Sequence, residues 1–108
     1  MIDGLWTAKI QAGANSTSGV LVFTNGRVLG GDSGFMWNGT FKVSGDSLKA
    51  DIHVKNYDPS VPPRLFGATE YDVSMYGNIK GDTISATGSS PVYQGVSVSL
   101  VLTKRAAL

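Results

Sequence analysis

The chain has 108 residues, no cysteine, and nine Lys+Arg against eight Asp+Glu for a net charge of +1. That length suits one domain spanning residues 1–108, and the missing thiols exclude disulfides, thiolate metal ligands and a cysteine nucleophile. Only 16% of residues are charged, with cations scattered singly apart from Lys104-Arg105, so the clustered charge that nucleic acid requires is lacking.

The chain opens on Met1-Ile2-Asp3-Gly4, neither basic nor apolar enough for a signal peptide, and the expected location is the cytoplasm. Trp6, Ala8, Ile10 and Ala12 then alternate with polar residues, which predicts a strand with one apolar face. Gly13 to Gly19 reads as a polar turn region. Val20-Leu21-Val22-Phe23 is apolar on both sides, and it is the longest apolar run, far short of the ~20 residues of a membrane span. Asn25-Gly26 is a hairpin signal, because both residues tolerate the positive φ of a type I′ turn, and Arg27–Leu29 returns. Gly30-Gly31-Asp32-Ser33-Gly34 reads as a loop.

Phe35, Trp37, Gly39, Phe41 and Val43 give the next strand an aromatic face. After a turn at Ser44-Gly45-Asp46, Leu48, Ala50, Ile52 and Val54 point inward, with Lys49, Asp51, His53 and Lys55 outward. Tyr57 to Gly67, with Asp58-Pro59 and Pro62-Pro63, excludes regular structure and forms the longest connection. Tyr71, Val73, Met75, Gly77 and Ile79 line one face of the following strand. Gly81-Asp82 turns into a short strand with Ile84 and Ala86, Gly88 to Pro91 reads as a loop, and Val96, Val98, Leu100 and Leu102 alternate in the last strand. No stretch repeats apolar residues at helical spacing. Eight strands joined by short connections predict an all-β protein, a single antiparallel up-and-down meander closed into a barrel, which removes both exposed edges.

Two resemblances sharpen this. Gly4-Leu5-Trp6 on the first strand resembles the Gly-x-Trp signature of lipocalin-like barrels, in which a basic residue of the last strand packs over the Trp; Lys104 and Arg105 are the matching positions. Over the first two-thirds of the chain, Asp3-Gly4, Gly19-Val20-Leu21-Val22, Asn25-Gly26, Leu29-Gly30-Gly31-Asp32 and the aromatic-Gly-aromatic stretch from Trp37 to Phe41 follow in an order similar to the GrlR family. Asn56-Tyr57 with Pro59-Ser60-Val61 resembles that family's mid-chain loop. The family comprises negative regulators of type III secretion genes. The resemblance implies an eight-stranded barrel that forms a homodimer and works by binding a protein, a transcriptional activator. One departure stands out: the family's acidic surface turn corresponds here to Ser44-Gly45-Asp46-Ser47, with Asp46 as its sole acid.

No constellation of catalytic residues, metal ligands or cofactor-binding groups emerges, and the protein is read as non-enzymatic. His53, the only histidine, lies on a polar outer face and reads as a solvated surface residue. The acids sit mostly in turns, and Glu70 and Asp72 share a face from which Lys49 or Lys55 is within cross-strand reach. Gly30–Gly34 lacks the following helix and the Lys of a phosphate loop. Trp6, Phe35, Trp37, Phe41, Tyr71 and Met75 face inward, as plain core or as the walls of a cavity for a small apolar ligand, the alternative carrier reading. A dimer or partner surface is expected to draw on Leu21, Phe23, Met36, Asp46, Tyr76 and Val101, because the two-sided apolar second strand needs cover from outside.

Overall fold

The computed structural model describes residues 2–63 and 67–108, the side chains of Tyr93 and Gln94 excepted. Eight antiparallel strands follow one another around a closed barrel: β1 Gly4–Ala12, β2 Asn15–Thr24, β3 Arg27–Gly31, β4 Phe35–Ser44, β5 Ser47–Asn56, β6 Glu70–Lys80, β7 Thr83–Ser90 and β8 Tyr93–Ala107. Each pairs with its sequence neighbours, and β8 returns to β1. The described residues contain no helix, and the predicted lipocalin-like, up-and-down architecture is what the chain adopts.

The turns behave as their residues dictate. Asn25 and Gly26 take φ of 49° and 78°, the left-handed values of a type I′ turn whose twist matches the strands it joins. Elsewhere the strands run further than predicted. β2 begins at Asn15, because a two-residue turn at Gly13-Ala14 sets Ala12 opposite Asn15 and carries the polar residues 15–18 along β1. Gly30 and Gly31 belong to β3. Gly88 to Ser90 extends β7, with Ser90 buried. Val96, expected inward, is exposed. The register of β8 against β7 shifts just before it, where Gly95 takes a φ of 83°, and such a bulge reverses which face the next side chain meets.

The core is the inward set of every strand. On β5, Leu48, Ala50 and Val54 are buried and Ile52 half-buried, while Lys49, Asp51, His53 and Lys55 are exposed, as alternation requires. Size is matched across strands: Phe41 pairs with Ala50, and the Trp37 indole lies directly over Gly19. Trp6, Phe23 and Phe41 form two successive edge-to-face contacts, with ring centroids 5.8 and 4.9 Å apart. This aromatic layer crosses the barrel.

Candidate functional site

The six inward residues predicted to wall one cavity are divided by that aromatic layer. Trp37, Tyr71 and Met75 line an apolar cavity with Val54, Val73 and Leu100, of about 60 Å³. Phe35 lies with Trp37 and Tyr71 at the neighbouring barrel end, beneath Val61, Pro62 and Pro63 of the long loop. Trp6 and Phe41 face the opposite end. An apolar cavity of about 150 Å³ is the size that admits benzene, and dry cavities are the rule when the walls are apolar. This cavity therefore has room for water-sized molecules and no more.

The long loop is latched down by polar groups. Asn56 Nδ2 donates to the carbonyls of Gly34 (3.0 Å) and Val61 (3.3 Å), Tyr57 Oη donates to Asp32 O at 2.7 Å, and the Tyr57 N–H donates to Gly34 O. The Ser60 hydroxyl and N–H both donate to Asp58, which holds that carboxyl below its usual range. Arg64, Leu65 and Phe66 of the predicted loop lie outside the described residues. The Gly30–Gly34 segment ends β3 and then turns: Asp32 Oδ1 accepts the N–H groups of Gly34 and Phe35 at 3.0 and 2.9 Å. Those donors already have an acceptor, so the turn offers no free cradle for an anion.

The outer face is of two kinds. Across β1, β2 and β3, Leu5 stands opposite Val22 and Val22 opposite Leu29; one rung along, Val20 faces Gly31, and Gly31 faces Met36 on β4. Leu5, Val20, Leu29 and Met36 are between 40% and 48% exposed, which makes one continuous apolar patch. Within the two-sided strand β2 it is Val20 and Val22 that turn outward. Leu21 and Phe23, expected at the surface, are corrected to the core, at 3% and 0% exposure, because their register partners Trp6 and Gly4 belong to the buried face of β1. Met36 is in the patch. Tyr76, beneath the Lys49 ammonium at 5.8 Å, and Val101, between Lys9 and Ser85, are exposed elsewhere on the barrel wall. Asp46 is exposed on the β4–β5 turn.

The second kind of outer surface is polar. His53 is exposed as expected, but it is gripped from both sides: Nδ1 lies 2.8 Å from Asp72 and Nε2 2.7 Å from Glu70. Cross-strand pairing of the acids thus goes to His53 rather than to Lys49 or Lys55. Two carboxylates each need an N–H, which only the doubly protonated ring supplies. The bond to Asp72, then that to Glu70, raises the imidazole above its usual 6.5. A group raised on folding adds stability below its unfolded value, and that contribution is lost as pH climbs through the folded one. The loss is expected to be at most about 1 kcal/mol, since the trio is solvent-screened. Thermal melts from about pH 6 upward should show it in the native chain and lose it in His53→Gln; parallel curves would refute the role.

Residues 1–99 match the family model described as GrlR, T3SS negative regulator. The chain belongs to the GrlR family. Among curated proteins none matches it. Membership accounts for the ordered motifs: Asn25-Gly26 is the β2–β3 turn, Gly30 lies in β3 between Leu21 and Trp37 and Gly31 between Val20 and Met36, and Trp37 to Phe41 runs along β4. The Gly-x-Trp signature is also met in space. Lys104 is the register partner of Trp6, while Arg105 falls in the β1–β8 irregularity and points outward, its Nε donating to Thr7 Oγ1. Of the two basic candidates Lys104 is therefore the one over the tryptophan. As a GrlR-family chain it is a member of a family of negative regulators of type III secretion. No helix among the described residues is long and apolar enough to cross a membrane.

Sequence reasoning missed the outer patch as a unit and the His53 trio. The first was visible only as a two-sided strand. The second depends on the β5–β6 register, which the long loop conceals.

Proposed function

We propose that this GrlR-family chain is a non-enzymatic cytoplasmic regulator that represses secretion genes by binding a protein, a transcriptional activator, and that it self-associates through the apolar patch on β1–β4. The observation that carries this reading is the patch itself: Leu5, Val20, Val22, Leu29 and Met36 are contiguous on a rigid wall. Contiguous exposed apolar surface marks sites of association. The near-neutral charge of +1 favours a protein over nucleic acid as the direct target. A carrier role for the interior is disfavoured by a cavity of about 60 Å³.

The test pairs mass with repression. Light scattering on the purified chain is expected to give a dimer, and Leu29→Glu with Met36→Glu a monomer with unchanged thermal stability, since both side chains are outward. In cells carrying the activator and a secretion-gene reporter, the native chain should repress. A monomeric native chain would overturn the self-association. No repression, or repression without co-purification of the activator, would overturn the partner-binding reading.

A further inference from the structure

The barrel end bearing the β2–β3, β4–β5 and β6–β7 turns is open. Phe41, Val43 and Ile79 alternate on the inward faces of β4 and β6, yet Phe41 and Ile79 are only half-buried and Val43 is 44% exposed. They surround a concavity of about 510 Å³ whose floor is Trp6. The indole Nε1 donates to Ile2 O at 2.8 Å, and at 1% exposure Trp6 lies just beneath the lining, whose accessible carbon comes from Phe41, Val43 and Ile79. Phe23, fully buried behind it, separates the concavity from the small interior cavity. Ligand pockets run from about 300 to 1,000 Å³, and this concavity falls in that range.

Its charge is specific. Lys104 enters the concavity from β8, its stem packed against Gly4, and it has no ion-pair partner among the described residues. Asp3, on the same rim, already accepts the Asn25 N–H at 3.0 Å. Asp82 stands on the β6–β7 turn. One cation over an apolar floor favours an anionic head on an apolar body. Asp3 and Asp82 bring the lining to a net −1 (one Lys against two Asp), so a single negative charge is held by direct contact with the Lys104 ammonium and a phosphate-like dianion is disfavoured. The half-buried Phe41 ring in the lining favours an aromatic body, by edge and face contacts.

We propose that this turn-end concavity is a binding site for a monoanionic aromatic amphiphile, an aryl carboxylate or sulfonate, with its ring on Phe41, Val43 and Ile79, above the buried Trp6, and its anion at Lys104. The site is independent of the outer patch and of partner binding.

The chain carries its own reporters. Trp6 floors the concavity, and Trp37 walls the interior cavity. Anilinonaphthalene sulfonate, an aromatic monoanion, is titrated into Trp37→Phe, where Trp6 is the sole energy donor. Saturable binding with energy transfer from Trp6 is expected. Lys104→Gln should weaken it about tenfold, the scale of one charged hydrogen bond, while leaving the uncharged dye phenylnaphthylamine unaffected. Val43→Asp, at an exposed position, should abolish it with the melting temperature held. Leu29→Glu with Met36→Glu should leave it unchanged. Dye binding that ignores Lys104→Gln and Val43→Asp, that vanishes with the outer-patch variant, or that never saturates would overturn the proposal, and none of these outcomes bears on whether the native chain is a dimer.

Discussion

Phe23→Ala is expected to destabilise the barrel by about 3–5 kcal/mol, the cost of emptying a fully enclosed aromatic site. Phe23 has no exposure, and its ring meets Trp6 edge-on on one side and Phe41 on the other. Truncation thus removes two aromatic contacts, each worth about 0.5–1.5 kcal/mol beyond burial, as well as the buried area. A wall of paired backbone cannot collapse to fill the gap. Urea unfolding measures the loss; a shift in midpoint corresponding to less than about 1 kcal/mol would mean that the layer is loosely packed.

Gly19→Ala is the second. Alanine has the better intrinsic fit to a strand, so propensity alone forecasts a small gain. Packing forecasts the opposite sign. A Cβ on Gly19 would lie 2.4 Å from Trp37 Cη2 and 2.6 Å from the Gly31 carbonyl oxygen. The indole can rotate away, but the backbone oxygen cannot without breaking the β2–β3 ladder. A loss of about 1–3 kcal/mol is expected, with a red-shifted Trp37 emission as the ring is driven toward water. A neutral or stabilising result would show that the indole does not rest on β2.

Phe23 and Gly19 also mark where the sequence is legible. β5 could be read residue by residue, because each inward position is aliphatic and each outward one charged, and only one register buries the first set. β2 could not. With Val20, Leu21, Val22 and Phe23 all apolar, alternation carries no sign; the sign comes from β1, whose Gly-x-Trp segment places Gly4 opposite Phe23 and Trp6 opposite Leu21. Gly19 reads as the end of a turn in isolation, and its role under Trp37 exists only once β2 and β4 share the interior. His53 was legible as a surface residue. Its partners Glu70 and Asp72 were not, because alternation fixes their face but not their height along β6 relative to β5. The open concavity was hidden for a similar reason. Phe41, Val43 and Ile79 show the inward period, but whether anything covers them depends on how far the neighbouring strands rise.

The pairing of β8 with β1 sets the order in which the molecule can be completed. Thr7 receives its hydrogen bond from Arg105, 98 positions away, so β1 emerges first during synthesis and waits for its last neighbour. At about 5–20 residues per second, that wait lasts roughly 5–20 s, during which the unpaired flank of β1 is a template for any passing strand. Two of the residues that stand outward on that flank are Lys9 and Gln11. A lysine on a waiting edge makes foreign pairing unfavourable, yet in the closed barrel Lys9 has nothing more demanding to do than stand in solvent opposite Val101. The closed barrel leaves no free edge, so any protection that Lys9 gives against foreign pairing acts in the seconds before the barrel exists.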